Sequence, residues 1–427
     1  AILSVKNGEI VDFNIPVGGA YDLNGQLSVN ENPPLPLTIV NKRWEFQDAN
    51  WFPDFSASAR KILWFYRHSW DGSADGVIAV NSSVLERLLS VLGPITDEVR
   101  GLNLSAENAT AIIQNEIETG PEKLRNKPKQ ILADLAPTIL ASIKNTSAGN
   151  LVPLLANLEE ALRQKEIQAY FTDPAAEAAV LSSGWGGAIT QTDTDSDYLL
   201  VINTNLQGQK SDARMKQLIS HQAMIKSDGT VIDNVVITRE HTGRKDEKFY
   251  GAPNVDYIRV YVPEGSTLLS ASGFTWPEER SFRAFDPASV SDPFLKSQEK
   301  ELGIDEKSGT RITAEFGKTA FGNWVITTPG SISQVEFSYR LPFRINLEAI
   351  DNNSILDKFI SDLSVAMKPY RLVAQKQSGI TSDFESQVIF PPPWQPSWLG
   401  GPHTTPARNG FRVEEFPLTN DETWTVL

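Results

Sequence analysis

Apolar residues recur with two different periods along this chain, and the period changes near Gly187. Ahead of that point Ala59, Ile62, Leu63, Phe65 and Tyr66 fall at helical spacing, as do Leu85, Leu88, Leu89 and Leu92. Ser83 with Glu86 reads as a capping box for the second of these helices, and residues 77–80 as a short strand before it. Residues 105–183 are helical in pattern almost throughout. The pattern predicts a helix from Ser105, one over 131–143 with Pro137 as a kink, one over 151–167, and a short one opened by Asp173 and Pro174. Residues 1–5 form an apolar run interrupted only by Ser4, joined by the turn at Asn7-Gly8 to a second strand, and are predicted to lie inside a sheet. This order of strands and helices predicts an α/β domain over residues 1–190, a mixed sheet covered by helices.

From Asp197 onward, short strand-like runs alternate with turn signals, among them residues 198–202, 218–225, 231–238, 257–262, 324–327, 335–339, 370–374 and 388–390. Asp228-Gly229 joins two of them as a hairpin. The expectation for residues 191–427 is all-β material of the β-sandwich, Ig-like kind, with a long charged insertion over 277–310. The alternating acids Asp193, Asp195 and Asp197 lack the glycine and distal glutamate of a calcium loop, so they read as a polar linker.

Composition narrows the function classes. A chain of 427 residues is long enough for two or three domains. Residues 1–190 carry 22 acids against 15 bases and the remainder 31 against 24, so each part contributes −7 to the net charge of −14. Without a basic half or a basic run there is no electrostatic footprint for nucleic acid. The lack of cysteine excludes disulfides, thiolate metal sites and a cysteine nucleophile. No apolar run reaches the length of a membrane span. The abrupt opening on a strand carries the expectation of an upstream segment, including an anchor.

The segment 48–55 is the most pointed one: Asp48, Asn50 and Asp54 sit on a loop with Trp51 just before a helix. Two carboxylates there suit a divalent cation such as Mg²⁺, or acid-base work, with Asn50 and Trp51 as ligand contacts. The same residues also suit a structural reading, in which Asp54 or Ser56 caps the helix and the aromatics are core. Arg60 and Arg67, seven apart on one helix face, together with Arg125, are the guanidinium groups available to a phosphate-handling site. His68, His221, His241 and His403 are scattered, with no metal-binding spacing, and neither phosphate loops nor a nucleophile elbow occur. Ten tryptophans offer stacking faces for sugars, although most suit core packing.

Residues 21–27, 48–55, 75–80, 92–95, 208–212 and 257–266 together resemble the bacterial family called domain of unknown function 4012, with a weaker likeness over 339–343 and 370–377. That resemblance implies an extracytoplasmic, cell-surface or membrane-anchored envelope protein. Residues 77–95 and the helix after Leu104 are more distantly similar to the LytR-CpsA-Psr phosphotransferases, which implies a fold of that kind for residues 1–190. Those enzymes surround a pyrophosphate with arginines and an aspartate. Here residues 14–19 stand where a Pro-Arg-Asp segment is expected and residues 115–118 near an Arg-x-Arg pair, leaving Arg125 as the match to that cluster.

Two functional readings follow. In the first the chain is a non-catalytic envelope protein that binds a glycopolymer, or assembles with other copies at the surface. In the second it is a transferase that moves a polyprenyl-linked glycan to the wall, using Asp48, Asp54, Arg60, Arg67 and Arg125 with a divalent cation. A long apolar tunnel beside Asp48 and Asp54 is expected only of the second.

Overall fold

A computed structural model describes residues 1–23, 25–70, 72–345, 369–396 and 398–426, without the Trp70 side chain. Asn24, within the family-like segment 21–27, and Ser397, between Trp394 and Trp398, lie outside the described residues. The chain divides into two compact units. The first takes Ala1–Glu31, Arg43–Ala188 and Ala288–Val290; the second takes Asn32–Lys42, Ile189–Pro287 and Ser291–Leu427.

In the first unit the strands are β1 (Ile2–Lys6), β2 (Glu9–Asn14), β3 (Gly76–Val80), β4 (Ile95–Asp97), β5 (Leu102–Leu104) and β6 (Ile167–Phe171). The helices are α1 (Phe55–Trp70), α2 (Ser82–Leu92), α3 (Ala109–Thr119), α4 (Pro121–Leu124), α5 (Gln130–Lys144), α6 (Ala148–Arg163) and α7 (Pro174–Ser182). The mixed sheet expected over residues 1–190 does not form among the described residues. The strands pair instead as three separate antiparallel ribbons, β1 with β2, β3 with β6 and β4 with β5. Strands this short, paired with a partner running back, never generate the parallel crossover that a doubly covered sheet needs.

Residues 1–5 are a further correction. They do form a hairpin with the turn at Asn7 and Gly8, both at positive φ, but Leu3 and Val5 are 43% and 58% exposed. Ile2 alone in β1 is half-buried, and Ser4 and Lys6 on its own face are exposed as well, so the ribbon meets the rest of the unit at its open end and not along one face. The expected capping box is also not made: Asn81 is the N-cap residue of α2, without a side-chain cap bond. The helix expected over 151–167 stops at Arg163, and Ile167–Phe171 is strand β6. Asp173 does cap α7, accepting from the Ala176 amide at 2.8 Å.

The tryptophans near α1 pack as core. Trp44 is fully buried, edge-on to Phe65 at 5.8 Å. The buried Lys61 ammonium pairs with Glu31 and lies 4.0 Å from the Trp64 ring centre and 4.6 Å from that of Trp44. Ring faces carry negative potential, so the aromatics compensate part of the lost hydration of this charge.

The second unit holds β7 (Asp197–Ile202), β8 (Met215–Ile225), β9 (Thr230–His241), β10 (Asn254–Pro263), β11 (Thr267–Ser272), the short helix α8 (Pro293–Gln298), β12 (Glu299–Ile304), β13 (Arg311–Glu315), β14 (Lys318–Thr327) and β15 (Ile332–Arg344). It continues with β16 (Tyr370–Gln375), β17 (Ser382–Ile389), β18 (Leu399–Gly400), β19 (Thr404–Ala407), β20 (Gly410–Leu418) and β21 (Glu422–Val426). Among the described residues one sheet runs β12-β13-β14-β10-β7-β16-β21-β18 and the other β11-β15-β9-β8-β17-β20-β19. Inward positions of both contribute to one apolar core that includes Val201, Val235, Val260, Phe321, Phe337, Leu372, Val388 and Trp424. The strand-rich character expected beyond Asp197 is therefore seen. Most neighbours are antiparallel, but β16 pairs parallel with β7 and β17 parallel with β8. The segment 277–310, read as an insertion, in fact supplies α8 and the edge strand β12. Charged residues such as Glu299, Lys300 and Glu301 hide a strand from pattern reading, and charge is what an edge strand uses to block further pairing.

Candidate functional site

The sequence-derived candidates occupy structural positions in the first unit. Asp48 closes a short 3-10 turn, and its carbonyl accepts from the Trp44 indole at 3.0 Å. Asp54 accepts from the Ala57 amide at 3.0 Å, which is the helix-capping alternative. Trp51 is only 4% exposed, so it cannot offer a face to a sugar. Asn50 is exposed. Arg60 and Arg67 are exposed on α1, with the Arg60 Nε donating to the Ser56 carbonyl. Arg125 is paired with Glu122 at 2.9 Å on the surface. Among the described residues, the His and carboxylate ligands that converge as a group of three are Asp197, His221 and Asp233, not Asp48 and Asp54. If Asp54 is a cap, Asp54→Ala should lower stability by about 1 kcal/mol in urea titration; a cooperative transition at the parental midpoint would refute the cap.

The second unit carries two arrangements that the sequence reading passed over. One is a polar cluster inside the core, built by both sheets. Inward positions of β8 alternate as Gln217, Ile219, His221, Ala223 and Ile225, and those of β9 as Val231, Asp233, Val235 and Ile237. Asp197, read as part of a linker, is the fully buried first residue of β7. The His221 Nε2 lies 3.5 Å from an Asp197 carboxylate oxygen and 3.9 Å from one of Asp233, ion-pair lengths rather than hydrogen bonds. Its Nδ1 meets the Ser386 hydroxyl at 2.8 Å, and these two residues face each other across β8 and β17. Tyr370 donates to Asp197, whose other oxygen accepts from the Tyr198 amide at 2.7 Å. Tyr339 stands opposite Asp233 in the β15–β9 register.

Burial opposes charge on His221, but the two carboxylates overcome that cost and hold its pKa at about 9. Burial and repulsion from Asp197 push Asp233 upward against the attraction of His221. Burial and the same carboxylates raise Tyr339 and Tyr370. Ser386, His221 and Asp197 have the residue types of a nucleophilic triad, yet Ser386 is 2% exposed, out of reach of a substrate. The available signal was an ionisable residue on the apolar face of an alternating strand, as His221 and Asp233 both are.

The other arrangement is a cavity of about 400 Å³ lined chiefly by apolar atoms, with Tyr257, Trp276, Phe282, Phe285 and Trp324 in its wall and Arg283 and Arg311 beside them. Its aromatics hold one another: Tyr257 and Phe282 lie 5.1 and 5.6 Å from the Trp324 ring. Glycines leave room for two of the rings. A Cβ on Gly309, which is also at φ +71°, would stand 2.9 Å from the Trp276 ring, and one on Gly322 would stand 2.3 Å from the Tyr257 hydroxyl. Trp276 remains 52% exposed above that backbone. Arg311 is fixed by Glu299 and Glu301; although burial alone would lower its pKa, the nearby carboxylates raise it. A second cavity of about 360 Å³, in the first unit, is lined by Ile2, Ile15, Leu23, Phe46, Tyr66 and Leu132 among others.

Residues 1–117 match the family described as "Protein of unknown function (DUF4012)", so the resemblance read from the sequence holds for that stretch. No curated protein matches the chain. Among solved structures, one from Legionella pneumophila described as a nutrient binding protein is similar at 10% identity and a TM-score of 0.26, covering 54% of this chain and 71% of that one. The M1 zinc metallopeptidase from Deinococcus radiodurans is similar at 10% identity and a TM-score of 0.19, over 50% of this chain and 42% of the peptidase. The chain thus spans less than half the length of that peptidase. Likenesses at these scores carry no argument about fold or function.

Proposed function

We propose that this chain is a non-catalytic binding protein of the cell envelope, acting outside the cytoplasm, and that the aromatic cleft of its second unit takes a saccharide segment of an envelope glycopolymer. The observation that carries this reading is Trp276: half-exposed at the cleft, with its ring seated against Gly309. A large ring held in place by backbone costs little ordering entropy on binding, and its face matches the C–H face of a sugar ring. Arg283 and Arg311 supply donors for hydroxyl or carboxylate groups at the same wall. A cavity of about 400 Å³ suits one or two sugar rings or a similar small group, and falls far short of a long polyprenyl chain.

The transferase reading draws no comparable support. Asp54 is engaged as a helix cap, Arg125 is paired on the surface, and Asp48 and Asp54 belong to no converging three-ligand group among the described residues.

The test is calorimetric titration of the protein with wall-polysaccharide fragments, alongside Trp276→Ala. We expect saturable binding by the parent, and at least a tenfold loss in the variant, about 1.4 kcal/mol. Circular dichroism on both checks that the fold is retained. Equal affinity in parent and variant, or no binding by the parent across neutral and acidic fragments, would refute the proposal.

A further inference from the structure

We infer that Asp197, His221 and Asp233 form a buried site for one divalent transition-metal ion, with Zn²⁺ the best chemical match. The two carboxylates come from different sheets, Asp197 on β7 and Asp233 on β9, so the ion would join the sheets through the core. The cluster is fully buried, and several of its polar atoms lack hydrogen-bond partners: the His221 Nε2, both Asp233 carboxylate oxygens and the Tyr339 hydroxyl accept or donate no hydrogen bond, the first two groups being held at ion-pair distance only. An unpaired buried polar group costs about 1–3 kcal/mol, and more when charged. Two carboxylates neutralise a divalent ion, so a single ligand would satisfy these groups together.

The spacing is close to that of a bound ion. Ligand atoms about 2.0–2.2 Å from a tetrahedral ion stand roughly 3.3–3.6 Å from one another. Here the His221 Nε2 lies 3.5 Å from the Asp197 oxygen, inside that range, and 3.9 Å from the Asp233 oxygen, slightly beyond it, so binding would draw the Asp233 side chain inward; the three ligand atoms all lie within 4.8 Å of each other. An outer shell of the kind that orients metal ligands is also present. The other His221 ring nitrogen is engaged by Ser386, and Tyr370 and the Tyr198 amide fix the Asp197 carboxylate. Tyr339 stands opposite Asp233, and its buried hydroxyl has no hydrogen-bond partner. One imidazole nitrogen with oxygen donors suits Zn²⁺, Co²⁺ or Mn²⁺, while the enclosing core disfavours strongly hydrated Mg²⁺. Because the site has no exposed side chain, the ion would enter as the chain folds.

The test uses the full chain, unfolded in chelator and refolded with Zn²⁺ or Co²⁺, then freed of loose metal by gel filtration. We expect about one equivalent of Zn²⁺ to remain by atomic emission, and refolding with Co²⁺ to give the visible absorption of a low-symmetry N,O site. Asp233→Asn, which preserves shape, and His221→Gln should each lose at least a hundredfold in metal affinity. Absence of metal from the refolded parent is decisive against the site even if a variant does not fold. A parent that retains neither Zn²⁺, Co²⁺ nor Mn²⁺ after refolding in excess would overturn the site. So would an equivalent retained unchanged by folded forms of both variants, since that ion would sit elsewhere. In the metal-free outcome the cluster is a protonated network of His221 between two carboxylates.

Discussion

Arg239→Ala should destabilise the second unit by about 3–5 kcal/mol, the usual cost of removing one partner from a buried ion pair. Arg239 is 2% exposed on the inward face of β9, and its guanidinium pairs with the fully buried Asp256 of β10. It also donates to Asn203 and, at 2.8 Å, to Asn254. Alanine would leave the Asp256 charge in the core with its strongest partner gone. Arg239→Met combined with Asp256→Leu should recover most of the loss, because an apolar pair of similar volume removes both desolvation costs. The consequence extends to the segment 208–212. The Asn254 amide donates to Ser211 at 3.0 Å and to Asp212 at 2.7 Å, so Asn254 links that segment to the Arg239 cluster. Denaturant unfolding of the parent, the single variant and the double variant forms the measurement, with hydrogen exchange on residues 203–212 reporting the loop. A single variant within about 1 kcal/mol of the parent would mean the pair is compensated by groups other than these.

Lys318 should make the stability of the second unit rise with pH. Its ammonium is buried at the start of β14, 4.1 Å from the Tyr198 ring centre and 3.0 Å from the Thr192 hydroxyl. Burial pushes its pKa down to about 8, despite the opposing pull of Glu264, from the ordinary 10.5. In that window the unfolded chain binds the proton that the folded chain has released, so stability rises as pH rises; below it both states are protonated and the burial cost is present in full. From about pH 7.5 to about pH 9.5 the contribution amounts to roughly 2 kcal/mol. Other groups titrate in the same range, His221 with the opposite sign, so the informative quantity is the difference between the parent and Lys318→Met. The parent should gain on the variant by that amount across the range. Parallel stability curves would show that Lys318 is solvated as an ordinary surface lysine.

Much of the element content was legible in residue pattern alone. Period-2 alternation identified β8 and β9 and the Asp228-Gly229 turn between them, and helical spacing identified α1, α2 and α5. The same patterns could not assign partners. A run such as residues 77–80 looks alike whether it enters a mixed sheet or pairs once with β6, because pairing depends on strands distant in sequence. Residues 299–304 escaped as a strand because local composition records their exposed charges and not their pairing with β13.

The site followed the same division. Asp54 was correctly placed at a helix start, where capping depends only on residues within one turn. His221 and Asp197 are 24 positions apart, and Tyr370 is a further 149 along the chain, so only the closing of the two sheets brings them together. Tyr257 and Trp324 likewise meet only when β10 and β14 pair, and Trp276 joins their wall from the segment that follows β11. Sequence by itself determined which local turns and helices could form and which strands alternate, since those follow from side-chain period and short-range backbone geometry. Tertiary structure alone decided which buried polar groups meet, because strand pairing between remote segments sets their distances and the core withholds the water that would otherwise separate their charges.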